Sequence, residues 1–175
     1  LRGNKDADKL DGEAAPASTG FKPIDQLRDG LKGSVFKAAD TGWATGKSTA
    51  VGDIYPGIAG NTLYSPAFLN KWVTSAPVQS VNYVEAHDNL TLADKLTASV
   101  KGISPTGIAQ LSQFATSIAV LSQGVPFIQA GQEFLRSKSG DDNSYKSDDA
   151  TNSLKWSTKL KYSGTVNYYK GLFAL

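Results

Sequence analysis

Apolar positions change their period several times along this chain, and each change marks an element. Up to residue 20 the only large apolar residues are Leu1 and Leu10, set among Lys, Asp, Ala, Gly and Ser, which predicts a loop or disordered lead-in. Ile24, Leu27 and Leu31 then recur at helical spacing, with Gly30 and Gly33 as stop signals. Residues 34–40 (SVFKAAD) have the composition of a short strand, but the Gly, Thr and Ser behind them argue for a long loop carrying Trp43. Ser65 at an N-cap and Pro66 at the first helical position predict a helix over about 66–74, with Trp72 packed in the core.

The second half is more strongly patterned. Residues 78–86 (VQSVNYVEA) alternate with period two and are rich in β-branched and aromatic residues, so they predict a strand. His87, Asp88 and Asn89 stand at its carboxyl end. Residues 91–94 (TLAD) have capping-box form and predict the start of a helix. A longer helix is predicted over 107–123, with Ile108, Leu111, Ala115, Ile118 and Leu121 down one side, Ser104 and Pro105 at its approach, and Gly124 and Pro126 at its exit. VPFIQAGQE reads as a buried strand, 137–153 as a polar loop, and Val166, Tyr169 and Phe173 as the apolar face of a closing helix. No internal repeat is evident. Strand, loop and helix in alternation predict a β/α protein with a parallel sheet, whose function gathers in loops beyond the carboxyl ends of the strands. Residues 87–89 and 131–149 both hold that position.

Composition narrows the picture modestly. The chain has 175 residues, enough for one ordinary domain or part of a larger one. Its 18 basic and 16 acidic residues are spread without a run and give a net charge of +2, which points to neither nucleic acid nor an anionic membrane as partner. No stretch approaches the length of a membrane span, and the first residues lack the apolar core of a signal peptide. The absence of cysteine excludes disulfides and thiolate metal sites, though it leaves the compartment open. The chain contains no methionine and begins with Leu1, so a piece of a longer, processed or divided protein is expected.

The chemistry centres on His87, the one histidine, between Glu85 and Asp88. Too few ligand types accompany it for a transition-metal site. No G-x-S-x-G elbow is present for a serine nucleophile, and GWATGKST matches a phosphate-binding loop only in its final G-K-S. An imidazole beside a carboxylate suits glycoside chemistry, where a carboxylate faces an oxocarbenium-like centre and hydrogen bonds to sugar hydroxyls tighten in the transition state. On residues alone, a polar cap on a strand fits AHDN equally well.

YVEAHDNLTLADKL resembles the fourth signature region of the α-amylase superfamily, in the form found in type I pullulanases. GVPFIQAGQEFLRSKSGDDNSYKSDDATNSLKW is similar to the stretch of those enzymes from the eighth barrel strand onward, and IDQLRDGLKGSVFK to the stretch before their seventh. The three blocks occur in the family's order across residues 21–175, leaving residues 1–20 without a counterpart. The resemblance implies the C-terminal portion of a TIM (β/α)8 barrel, about strands 6/7 to 8 with their helices, incomplete on its own.

It also implies roles. Asp88 matches the carboxylate that stabilises the transition state, and His87 the histidine that hydrogen-bonds hydroxyls of the same sugar. Asn89 matches a neighbour lining the adjoining subsite, and Asn143 and Tyr145 match the family's NSY, where a tyrosine can lie against a sugar ring. Glu85 reads as a structural carboxylate, and Gln132, Glu133 and Arg136 as residues that fix loop geometry. Trp156 resembles the structural LKW, and Trp43 is the tryptophan nominated as a sugar platform. The implied activity is hydrolysis of α-1,6-glucosidic linkages in pullulan, amylopectin, glycogen and limit dextrins by a retaining mechanism. The family's nucleophile and acid/base would precede Leu1, since Glu13 follows no hydrophobic strand and is not followed by Gly-Trp. The remainder of the barrel is then the missing partner. No cofactor is required, although the parent enzyme could carry a structural calcium. The polymeric substrate implies secretion or display on a bacterial surface, with the cytoplasm as the alternative. A non-catalytic carbohydrate-binding or interaction module derived from such a barrel is the competing expectation.

Overall fold

The computed structural model describes residues 22–23, 25–62 and 74–175. The expected lead-in over 1–20, Ile24, and most of the expected helix over 66–74 with Trp72 lie outside the described residues. Three short strands, β1 (Lys22–Pro23), β2 (Ser80–Asn82) and β3 (Val125–Pro126), form one parallel sheet in the order β1-β2-β3. Lys22 pairs with Ser80, and Val81 with Val125. Helices α1 (Asp25–Lys32) and α2 (Val51–Ile58) lie between the first two strands, and α3 (Leu92–Ser99) and α4 (Pro105–Leu121) between the second and third. After β3 come α5 (Asp149–Asn152), α6 (Ser157–Lys161) and α7 (Ser163–Leu172). The architecture is therefore mixed α/β, mainly helical, around a small parallel sheet.

Helix ends follow the expected chemistry in three places. Thr91 caps α3 by accepting from the Asp94 N–H at 3.1 Å, and Ser104 caps α4 by accepting from Gly107 at 3.1 Å. Gly33 ends α1 with φ +88°, its N–H donating to the Asp29 carbonyl at 2.7 Å. A side chain at Gly33 would also collide with the Asp40 carbonyl. Gly30 is not a stop signal: it lies inside α1, where an added Cβ would stand 2.8 Å from the Asp53 Cβ of α2. Helix α2 starts at the end of the stretch expected to be a long loop and holds Gly52, Pro56 and Gly57 within it.

The core joins Leu27 and Leu31 of α1, Ile54 of α2, Val84, Leu92 and Leu96 around α3, and Ala115 and Ala119 of α4. Ala44, in a 3₁₀ turn over Trp43–Thr45, completes it. Ile108, Leu111 and Ile118 pack against this cluster as expected, but Leu121 is 61% exposed. The face of α4 is rotated toward Ser112 and Thr116, both buried, because α7 lays Tyr169 against them. The Tyr169 hydroxyl lies 2.7 Å from Thr116 Oγ1 and 3.3 Å from Ser112 Oγ, and Gln132 Nε2 donates to both Thr116 Oγ1, at 2.8 Å, and Tyr169, at 3.2 Å. In α7, Val166 and Tyr169 are buried as expected, with Leu172 in the place foreseen for Phe173.

The strands are shorter than expected. Residues 77–79 form a 3₁₀ turn started by Pro77, and Pro126 brings no N–H to the ladder, so β2 pairs over Ser80–Asn82 alone. Residues 83–85 leave the ladder yet remain buried. β3 is not a buried strand: Val125 and Phe127 are exposed, because among the described residues β3 has a neighbour on one side only. The 137–153 segment is loop-like as expected, apart from a 3₁₀ turn over Ser144–Lys146 and the single turn of α5.

Removing the Tyr169 hydroxyl leaves buried partners unsatisfied, so Tyr169→Phe is expected to cost about 1–3 kcal/mol in chemical denaturation. Thr116→Val should cost a similar amount, and the double variant less than the two added together.

Candidate functional site

Beyond the carboxyl end of β2 the chain turns outward at His87 and Asp88, whose side chains are 77% and 71% exposed. The imidazole Nε2 stands 3.7 Å from Asp88 Oδ2. Asn89 follows with φ +63°, a left-handed conformation that asparagine tolerates better than most residues. Leu90 then returns to the interior and Thr91 opens α3.

Glu85 anchors the inner side of this turn. It is 1% exposed, and its Oε2 accepts from the Leu92 N–H at 2.8 Å, placing a carboxylate at the start of α3 where the helix presents unpaired donors. Burial pushes its carboxyl up to about 7, against the hydrogen bond from Leu92 and the charge of Lys32. Burial likewise brings the Lys32 ammonium down to about 8, with Glu85 opposing. Glu85 is thus the structural carboxylate that its strand position implied.

A second loop is tied to the first through α3. Asp94 accepts from Ser137 Oγ at 2.6 Å and from the Lys138 N–H at 2.8 Å. The buried Lys138 ammonium donates to the His87 carbonyl at 3.0 Å and to Ser144 Oγ at 2.7 Å. Asn152 of α5 donates to the carbonyls of Ser144 and Ser147, and Asp141 accepts from the Asn143 N–H at 2.9 Å. Hydrogen bonds from Ser147 and the Asn143 N–H hold the Asp141 carboxyl below its ordinary range. A third segment joins them: Lys95 of α3 donates to the carbonyls of Ser34, Lys37 and Ala38 at 3.0, 2.6 and 3.1 Å, fixing the turn that bears Phe36.

Together these segments enclose an open cleft of about 460 Å³ lined by Phe36, Asp88, Asn89, Asp142 and Asn143. Three of the residues singled out from sequence, Asp88, Asn89 and Asn143, therefore share one cavity. His87 sits beside it without lining it. Tyr145 is 72% exposed outside the lining, with the Lys146 ammonium 5.2 Å from its ring centre. Trp43 stacks on Phe114 of α4 at 5.4 Å, which occupies one face of its indole, and does not line the cleft. Gln132 is buried in the Tyr169 network, Glu133 accepts from the Gly131 N–H, and Arg136 donates to the Asn152 carbonyl, so all three fix loop geometry. Phe36 and Asp142 escaped the sequence reading; the signal for Phe36 was an aromatic in a polar turn, and for Asp142 its place directly before Asn143.

Two outcomes test this framework. Lys138→Met is expected to cost about 1–3 kcal/mol and to speed amide exchange at 87–89 and 141–147 together, since one ammonium serves both loops. For Glu85, the folded chain keeps a proton that the unfolded chain releases above its ordinary 4.5, so its contribution to stability falls as pH rises from 4.5 to about 7. Denaturation between those pH values should show a loss on the order of 1–3 kcal/mol that Glu85→Gln largely removes.

No family model matches the chain. The pullulanase of Bacillus subtilis (strain 168) is 36% identical over 156 residues, covering 86% of this chain and 21% of that protein. Among solved structures, the pullulanase of Paenibacillus barengoltzii complexed with maltohexaose and alpha-cyclodextrin matches with a TM-score of 0.82 and 37% identity, over 88% of this chain and 24% of that one. The type I pullulanase of Bacillus subtilis str. 168 complexed with maltose matches with a TM-score of 0.81 and 35% identity, over 88% of this chain and 21% of that one. The chain thus spans about a fifth to a quarter of the length of these relatives. Shared sequence and shared backbone across most of its residues make this chain a homologue of the type I pullulanases.

Proposed function

We propose that this chain supplies the transition-state-stabilising side of the active site of a debranching glycoside hydrolase, which cleaves α-1,6-glucosidic linkages in pullulan, amylopectin, glycogen and limit dextrins with retention. The observation that carries the reading is the convergence of Asp88, Asn89 and Asn143 on one open cleft beyond β2, in a chain whose relatives are pullulanases. Two solved relatives are complexed with maltohexaose and alpha-cyclodextrin or with maltose, in keeping with an α-glucan as ligand.

In this reading residues 21–175 form the C-terminal part of a (β/α)8 barrel, with β1, β2 and β3 as its sixth to eighth strands, and residues 1–20 are a lead-in. Asp88 faces the sugar carbon as positive charge develops there, so its carboxyl group binds the transition state more tightly than the ground state. His87 donates to hydroxyls of the same sugar, while Asn89, Asn143 and Tyr145 contact neighbouring units. The nucleophile and the acid/base come from earlier strands of the barrel, which are the partner the chain requires. The size of the substrate favours secretion or display on a bacterial surface, with the cytoplasm as the alternative.

In a protein joining this chain to those strands, Asp88→Ala is expected to lower kcat on pullulan on the order of 10²-fold or more, with the larger effect on kcat than on KM. The purified 175-residue chain should release no reducing sugar, because a stabilising carboxylate without nucleophile and acid has no covalent route. Release by the chain alone, abolished by Asp88→Ala, would overturn that division of labour.

A further inference from the structure

Lys138 is a lysine used as a strut. It is 6% exposed, and among the described residues its ammonium forms no ion pair. Its two acceptors are neutral oxygens, the His87 carbonyl at 3.0 Å and Ser144 Oγ at 2.7 Å. Each belongs to a direct neighbour of a residue that lines the cleft: the His87 carbonyl is part of the peptide bond to Asp88, and Ser144 follows Asn143. The ammonium itself does not line the cleft. Both ends of the strut are fixed. Asp94 of α3 accepts from the Lys138 N–H at 2.8 Å, and the Ser144 carbonyl accepts from Asn152 Nδ2 at 2.7 Å.

Among the described residues no other hydrogen bond links the 87–89 turn to residues 141–147. Without the ammonium each segment keeps its own attachments, the turn through Glu85 and α3, the other through Asn152 and Asp141, but their spacing is no longer set. A ligand that contacts both must then order them as it binds, and its affinity falls by that ordering cost. A buried ammonium suits the task, because an ionised donor makes stronger hydrogen bonds than a neutral one and is costly to leave unbonded, so the strut resists opening.

We infer that Lys138 is a positioning residue for sugar recognition, locking the turn that bears Asp88 and Asn89 to the segment that bears Asn143 so that both meet a glucosyl unit already in register. The inference rests on the α-glucan reading given above and adds to it a residue that sets affinity without touching the sugar. Ser144 is the other half of the device, since its hydroxyl acts through the ammonium. The charge is what matters, because an uncharged chain of the same length fills the space and holds neither oxygen.

Calorimetric titration of the 175-residue chain with maltotetraose tests it, at a temperature below the thermal midpoint of every variant compared. Lys138→Met is expected to weaken binding about five- to tenfold, and Ser144→Ala about two- to threefold, with no further loss when Ser144→Ala is added to Lys138→Met. In Lys138→Met the sugar should slow amide exchange at 87–89 and 141–147 together, whereas in the parent these amides are already protected. The chain has no cysteine, so Lys138→Cys can be alkylated at that one position in the unfolded state and refolded. An aminoethyl group, which restores the ammonium, should return affinity to within about twofold of the parent, and a propyl group should not. If Lys138→Met binds like the parent, or the propyl adduct binds as well as the aminoethyl one, while Asp88→Asn binds more weakly than the parent, the strut is overturned and the α-glucan reading stands. Should the Lys138 variants fail to fold, Ser144→Ala decides, and unchanged affinity there overturns the strut. If the parent chain itself gives no binding signal, both are overturned.

Discussion

Much of this structure hangs on ammonium groups placed where a helix meets a loop. Lys138 spends its protons on the His87 carbonyl and on Ser144, and Lys95, on the flank of α3, spends its own on the 34–38 turn. Both are nearly inaccessible to solvent. A buried charge is costly unless hydrogen-bonded, and backbone carbonyls are partners that no change of rotamer can remove. Three segments distant in sequence are thereby held against one helix, which in turn is seated by Glu85 at its first turn and by Thr91 at its cap. The cleft is what remains between these segments once they are fixed.

The same arrangement explains why the outer residues can be so exposed. His87 and Asp88 are bound at the backbone, through the His87 carbonyl and the left-handed turn at Asn89, and their side chains, paired with each other, stay exposed. Phe36 is treated alike, its turn secured and its ring unclaimed. Rigid backbone with uncommitted side chains is the condition for recognition without a large ordering cost on binding.

What could be read from sequence was whatever has a local cause. The caps at Thr91 and Ser104, the left-handed stop at Gly33 and the alternation that leads into Asp88 are each set by a few neighbouring residues. What could not be read depends on distant partners. The buried face of α4 turns toward Ser112 and Thr116 because Tyr169 supplies a hydroxyl from α7. Gly30 reads as a stop and is instead the point where α1 and α2 touch. The motif at 83–92 located the candidate site, but Phe36 belongs to it only through Lys95, an ion whose sequence neighbours give no hint of its contacts.

The parallel sheet carries a kinetic consequence. Lys22 lies beside Ser80, and Val81 beside Val125, so each pairing closes a long stretch of chain, whereas α3 and α4 meet across a short turn. Loop-closure entropy favours the helical pair forming first and the strands assembling onto it afterward. The carboxyl end of β2 takes its final position only when the ladder is complete. The cleft beyond β2 is therefore among the last parts of this chain to come into being.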